Sequence, residues 1–244
     1  MTPNLTMRGT EFNKDCSSMN HFSGYGIMLM LFFVCTAGGY GDDGIRPDPD
    51  AAVSRIVENF NRDWLFAADD VAHGEAAGCD ERAFSPVCLP HTVTPVPHRS
   101  IDTSRYAMVS WYRKHFSVPR AWAGKRVALS FEGVAKAATV YCNGHKAGEY
   151  LGAYTPFTCD ITRLLRCGTD NLLAVRVDSR QRRDIPPEGH DVDYLLFGGI
   201  VRDVNLLVTD RFRIDRVYAR NDTAGDGCLP VVIRMVNGDT TGQQ

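Results

Sequence analysis

Short stretches in which apolar and polar residues alternate recur between residues 55 and 210, and Gly, Pro, Asn or Asp separates them. In the stretch 126–132, for example, Val127, Leu129 and Phe131 share one face. A period of two is typical of a β-strand that has one buried and one solvated face. The pattern over 55–210 therefore predicts an all-β fold, a sandwich of two antiparallel sheets of jelly-roll type.

Turn signals connect the predicted strands. Asn143-Gly144 tolerates positive φ at both positions and predicts a type I′ hairpin. Asp160 is placed to cap a short helical turn over 161–165, which Gly168 closes. The strands joined in this way are 111–118, 126–132, 138–142, 145–150, 171–178 and 200–208.

One apolar run, 27–34, precedes the sandwich and is followed by Cys35 and Ala37, which form a small-x-small cleavage pattern. The run is too short for a bilayer span, which takes about 20 residues. A run of about 7 to 15 apolar residues before small ones is typical of a secretory signal. We therefore interpret 1–41 as a leader and 42–54 as a linker, and we predict no transmembrane span. The chain is expected to be exported: periplasmic, extracellular or, through Cys35, lipid-anchored at the cell envelope.

Beyond the sandwich, residues 211–244 predict the start of a second unit. Apolar residues at 212, 214 and 217 indicate one strand, and those at 231, 233 and 235 indicate another. A lone two-stranded hairpin is only marginally stable in water. Two interpretations follow: the tail folds against the sandwich, or the chain is part of a longer protein.

Charge and cysteine spacing narrow the possible functions. The 27 Lys and Arg nearly balance the 29 Asp and Glu, for a net charge of -2, so nucleic acid is not an expected partner. The eight cysteines form no C-x-x-C pair, which argues against a zinc site. Cys142 and Cys159 are predicted to pack as apolar side chains. We predict no metal and no cofactor.

A series of short motifs follows in a fixed order along the predicted sandwich. They are Phe60-Asn61-Arg62-Asp63-Trp64, Val87-Cys88-Leu89-Pro90-His91-Thr92, Trp111-Tyr112-Arg113, Phe131-Glu132-Gly133-Val134, Val140-Tyr141-Cys142-Asn143-Gly144, Tyr154-Thr155-Pro156-Phe157 and Gly198-Gly199-Ile200-Val201-Arg202-Asp203-Val204. In order and spacing they resemble the opening of glycoside hydrolase family 2, the group of β-galactosidases, β-glucuronidases and β-mannosidases. The resemblance implies a sugar-binding jelly-roll sandwich at 55–210 and a truncated start of an immunoglobulin-like domain at 211–244.

The resemblance also implies where the chemistry lies. In family 2 the acid/base and nucleophile glutamates belong to a (β/α)₈ barrel, a unit of roughly 250 residues that this sequence does not contain. Retaining hydrolysis needs two carboxyls about 5 to 5.5 Å apart, whereas Glu132 and Glu149 are predicted to be solvated. We therefore expect no catalytic residue in this chain. Hydrolysis of a β-glycoside is expected only from a full-length enzyme that supplies the barrel.

One acidic residue is a candidate sugar contact. In the β-galactosidases of this family, an aspartate seven residues before the isoleucine of Gly-Ile-x-Arg reaches into the active site, and Asp193 has that spacing from Ile200. A carboxylate accepts hydrogen bonds from sugar hydroxyls strongly. The alternative is that Asp193 caps a turn. His190 and Asp191, beside it, are secondary candidates for the same site.

Other conspicuous residues have structural explanations. Trp64, Trp111 and Trp122 are predicted to pack in the core, with stacking on a sugar ring as the alternative. Arg202 is predicted to form an ion pair that anchors the sandwich or its neighbouring domain. His91, which follows Pro90, is predicted to shape a loop.

Two functions remain open on the sequence alone. The first is the sugar-binding and support domain of a family 2 exo-glycosidase. The second is a stand-alone exported carbohydrate-binding or adhesion module, which needs a self-sufficient fold. Binding of free sugars by the chain distinguishes the two, since only a binding module is expected to saturate.

Overall fold

The computed structural model describes residues 55–96, 102–187, 194–219 and 231–237. Within these ranges the chain consists of β-strands joined by loops and short 3₁₀ turns. None of the helical turns in the described ranges has the length needed to cross a bilayer. The strands are β1 Arg55–Asn59, β2 Trp64–Ala67, β3 Ser85–Val87, β4 Val109–Ser117, β5 Arg126–Phe131, β6 Val134–Ala135, β7 Ala137–Cys142, β8 His145–Leu151, β9 Phe157–Asp160, β10 Asp170–Asp178, β11 Gly199–Ile200, β12 Val204–Thr209, β13 Phe212–Ala219 and β14 Val231–Asn237.

Two antiparallel sheets enclose the main core. One has six strands in the order β3-β2-β4-β10-β7-β8, and the other has four in the order β1-β12-β5-β9. Side chains from both sheets, among them Val175 of β10 and Leu129 of β5, are fully buried in the same cluster. The sheets therefore pack face to face. The all-β jelly-roll sandwich predicted from the alternation of residues is confirmed.

The two predicted turns are present. Asn143 and Gly144 have φ of 53° and 82° and join β7 to β8, as a type I′ hairpin requires. The carboxylate of Asp160 accepts a hydrogen bond from the backbone N–H of Thr162 at 3.0 Å. The carbonyl of Ile161 then accepts from the backbone N–H groups three and four residues later. The chain thus makes a capped turn of helical type and not a longer helix.

A segment that we call the strap, residues 68–84, lies on the outer face of the six-stranded sheet. Its apolar residues pack with Trp111 and Ala174, which face away from the main core. The fully buried guanidinium of Arg113 donates to the Glu81 carboxylate at 2.8 Å and to two backbone carbonyls of the strap. A buried cation is stable only with such acceptors. The charge on β4 therefore fastens the strap to the sheet.

Strands β13 and β14 form a separate two-stranded sheet. Its presence confirms the two strands predicted in the tail. Ile214, Val217, Ile233 and Met235 are between 45% and 58% exposed. The assignment of 211–244 to an immunoglobulin-like domain stays a prediction, as do the leader and the linker.

Candidate functional site

The predicted sugar contact, Asp193, lies outside the described residues, as do His190 and Asp191. The chain on either side of them is described, with residues 179–187 before and 194–200 after. We call these two segments the entry arm and the return arm. Their contacts define the base of the candidate site.

The entry arm leaves the end of β10 and is held at its first residue. Ser179 is buried, and its hydroxyl donates to the carbonyl of Ala135 at 2.7 Å. The same hydroxyl accepts from the backbone N–H of Gly199 at 3.1 Å. Further along, Ile185 is buried in a small cluster with Ala137. One serine hydroxyl thereby joins the start of the entry arm to both β6 and β11.

Lys136 holds the far end of the entry arm. Its side chain is 1% exposed, and its Nζ donates to Oε1 of Gln181 and to the carbonyl of Pro187, each at 2.6 Å. Burying an ammonium group is tolerated only where protein acceptors replace water. These two oxygens supply that replacement, so the arm and the lysine stabilise each other.

The return arm is fixed where it enters the sheet as β11. The hydroxyl of Tyr154 donates to the carbonyl of Phe197 at 2.7 Å, and burial raises the pKa of this phenol to about 12, so it remains a donor. Gly199 has a φ of 110°, and a Cβ there would lie 2.6 Å from the Tyr112 hydroxyl oxygen. Glycine meets both the positive φ and the close approach. Gly199 and Ile200 pair with β6. Because Ser179 also bonds to Ala135 of β6, both arms are attached to this two-residue strand.

His91 supports the return arm through its backbone and its ring. Its N–H donates to the carbonyl of Ile200 at 2.8 Å, and its Nδ1 lies 3.0 Å from the Tyr112 hydroxyl. Burial lowers the pKa of His91 and raises the pKa of Tyr112, which favours a neutral ring and a protonated phenol. A phenol that donates to Nδ1 of a neutral imidazole satisfies both groups. His91 thus orders the loop after Pro90, as predicted.

The described carboxyls whose pKa is shifted are all held in the charged form. Glu132 and Glu149 are exposed, as predicted. The Lys146 ammonium, 2.6 Å from Glu149, lowers the pKa of that carboxyl. Among the described residues, every carboxyl whose pKa is shifted has a lowered pKa. A glycosidase acid needs a raised pKa.

The tryptophans and Arg202 occupy different environments. Trp64 and Trp122 are 0% and 8% exposed in the main core, and Trp111 is 3% exposed in the apolar cluster beneath the strap. All three are buried, as predicted, and offer no ring face to a sugar. Arg202 is exposed, and its aliphatic stem lies against Gly133. Within the four described ranges no carboxylate forms an ion pair with Arg202. Its anchoring ion pair stays a prediction.

Two predicted core cysteines are inert in this environment. Cys142 and Cys159 are buried, and burial raises the pKa of each thiol to about 11. Both therefore stay protonated at neutral pH and pack as apolar groups. In the part of the chain that the structure describes, no three His, Cys, Asp or Glu side chains are grouped as metal ligands.

Comparison with known families decides the kinship. The family described as "Glycosyl hydrolases family 2, sugar binding domain" matches residues 59–210, more than half of the chain. The chain belongs to glycosyl hydrolase family 2. The sandwich, with both arms of the candidate site, is thus the sugar-binding domain of this family.

Family 2 relatives show the same relationship in sequence and in structure. The chain is 46% identical over 182 residues to a β-galactosidase of Thermoanaerobacter pseudethanolicus, covering 74% of the chain and 24% of the relative. It is 32% identical over 151 residues to a β-glucuronidase of Bacteroides fragilis, covering 62% and 20%. A solved Bacteroides uniformis β-glucuronidase aligns at 28% identity and a TM-score of 0.59, over 68% of the chain and 20% of that protein. The chain spans about a quarter or less of these relatives.

Three residues at the base of this family 2 site are not among the candidates from the sequence. Lys136, Ser179 and Tyr154 each hold an arm through a side-chain hydrogen bond. Lys136 leaves one signal in the sequence, because it is the single charged residue in the apolar run 134–140. Ser179 has no comparable signal. Tyr154 opens the motif Tyr154-Thr155-Pro156-Phe157, but the motif does not reveal its partner, since both residues bond to backbone atoms distant in sequence.

Proposed function

We propose that this sandwich is the sugar-binding and support domain of a family 2 enzyme that hydrolyses β-galactosides. Asp193 accepts hydrogen bonds from the sugar, and the catalytic glutamates come from a barrel domain. The family match over 59–210 carries the proposal. The 46% identity to a β-galactosidase supports the choice of sugar.

The base of the site supports a positioning role. A residue that contacts a substrate must be held in one place, because small displacements of a contact lower the rate strongly. The entry arm is held by Lys136 and Ser179, and the return arm by Tyr154 and the pairing of β11 with β6. Buried groups therefore fix the chain on both sides of the segment that carries Asp193.

A chimera tests the role of Asp193. The chain replaces the matching 182 residues of the Thermoanaerobacter pseudethanolicus β-galactosidase, and kcat/KM is measured on a chromogenic β-galactoside. Asp193→Asn is expected to lower kcat/KM about 100-fold, because a charged hydrogen bond to a sugar hydroxyl is lost. Asp184→Asn is the control, since Asp184 is exposed and pairs with Arg182 in the entry arm. A folded but inactive chimera, or equal activity of the two variants, contradicts the proposal.

Export is the second part of the proposal. The apolar run 27–34 and the small residues Cys35 and Ala37 support cleavage after Ala37. Expression of the full chain in a bacterial host is expected to yield an exported protein that begins at Gly38, or a lipid-modified one that begins at Cys35. Mass spectrometry of the recovered protein distinguishes these products from a cytoplasmic chain that retains its leader, which contradicts export.

A further inference from the structure

Lys136 connects three separate segments of the sandwich. Its backbone N–H donates to the carbonyl of Asp178, at the end of β10, at 3.2 Å. Its carbonyl accepts from the N–H groups of Gly152 and Ala153, which follow β8. Its ammonium reaches the entry arm. Backbone and side chain together thus place one residue at the junction of β10, the loop after β8 and the entry arm.

The ammonium contacts the entry arm near both ends. Gln181 is the third residue of the arm and Pro187 is its last, and Nζ donates to both at 2.6 Å. Gln181 is exposed, so its amide is not held by core packing. Between these two residues the arm carries two consecutive exposed positions, 183 and 184, beside the partly buried Arg182. The lysine therefore holds the arm at Gln181 and Pro187, in addition to the burial of Ser179 and Ile185.

We propose that Lys136 is a positioning residue for sugar binding. Its buried ammonium fixes Gln181 and Pro187 and thereby sets the point from which the chain continues to Asp193. The inference rests on the proposed function, in which Asp193 contacts the sugar. Lys136 itself touches no substrate and acts through the entry arm.

Limited proteolysis of the full chain tests the contact with the arm. Lys136→Met keeps the length of the side chain and removes the ammonium. Trypsin cleavage after Arg182 and Arg183 is expected to become about tenfold faster, because cleavage needs local opening of the arm. Lys114→Met is the matched control, since Lys114 is also a buried lysine that donates to a backbone carbonyl, that of Arg62, away from the arm.

The positioning role is measured in the β-galactosidase chimera. Lys136→Met is expected to lower kcat/KM about tenfold and Lys114→Met less than twofold. In the Asp193→Asn background, Lys136→Met is expected to lower kcat/KM by less than about twofold, because two residues that act through one contact are not additive. Gln181→Leu removes one acceptor at an exposed position and is expected to give an intermediate loss, so the test holds even where Lys136→Met fails to fold.

The outcomes separate the two proposals. If Asp193→Asn lowers kcat/KM but Lys136→Met and Gln181→Leu change neither cleavage nor kcat/KM, the role of Lys136 is overturned and that of Asp193 stands. If Lys136→Met lowers kcat/KM equally with and without Asp193, the lysine acts by another route and the inference is wrong. If Asp193→Asn has no effect, the proposed function falls first.

Discussion

The sandwich and the β13–β14 sheet both have apolar and polar residues in alternation, but they differ in burial. In the sandwich, Leu129 and Val175 are completely buried between two sheets. In the β13–β14 sheet, Ile214 and Ile233 are each 50% exposed. A strand buries its apolar face only when a second layer covers it. Alternation thus predicts strands in both regions, whereas burial depends on a facing layer.

The two regions should differ most in the stability lost when a large apolar side chain is truncated. Leu129→Ala is expected to destabilise the sandwich by about 2 to 5 kcal/mol, because it removes buried surface and leaves a cavity. Ile233→Ala, in the half-exposed β13–β14 sheet, is expected to change the free energy of unfolding by less than about 0.5 kcal/mol. Urea unfolding followed by far-UV circular dichroism, which reports the strands of both regions, measures both variants. Equal losses would remove the distinction between the two regions.

The sandwich also contains positions where the backbone is too crowded for a side chain. Gly199→Ala is expected to cost about 2 kcal/mol, because the residue has a φ of 110° and its Cβ would lie 2.7 Å from the His91 carbonyl oxygen. Gly78→Ala is the matched control, since a Cβ there meets nothing within 4 Å. The same unfolding assay measures both variants, and a Gly199 variant as stable as the control would show that the base of the arms adapts.

Acid should weaken the attachment of the strap to the six-stranded sheet, with a smaller loss of stability than the core and glycine substitutions cause. Burial raises the pKa of Glu81, but hydrogen bonds from His115 and Arg113 outweigh it, and the pKa lies below the usual 4.5. The stabilisation is therefore complete above that value and is lost as the pH falls through the folded pKa. Glu81→Gln is expected to cost about 1 to 2 kcal/mol at neutral pH and to flatten this part of the stability profile.

Asp215, in the β13–β14 sheet, is the exposed carboxylate with which Glu81 is compared. Asp215 lies 3.8 Å from Arg234, and both side chains are solvent-accessible. An exposed pair contributes little, so Asp215→Asn is expected to change stability by less than about 0.5 kcal/mol. Unfolding measured between pH 3 and pH 7 compares the two variants. An acid dependence that survives Glu81→Gln unchanged would assign it to other carboxyls.

The sequence was most informative where one local rule determines the geometry. Asn143-Gly144 predicts its hairpin because positive φ is needed at both positions. The faces of β5 and β12 follow from their period of two. Strand β9 was not predicted as a strand, because it has only four residues and follows Pro156. Its place in the sheet depends on pairing with β5, which local sequence does not encode.

The candidate site was less predictable because its base is built from distant contacts. Asp193 came from a motif spacing, and it lies outside the described residues. Lys136 and Gln181 are 45 positions apart, and Ser179 and Ala135 are 44 apart. The alternation of apolar and polar residues does not predict hydrogen bonds between residues so far apart in sequence. A lone lysine in an apolar run indicates a buried charge, but its acceptors become known only from the fold.

Calorimetric titration of the chain with galactose tests the central claim most directly. In the proposed function, this sandwich serves an active site that a catalytic barrel completes. The chain alone should therefore give no saturable heat with galactose or glucuronic acid. A saturable heat with either sugar would contradict the account and would instead support a stand-alone carbohydrate-binding module.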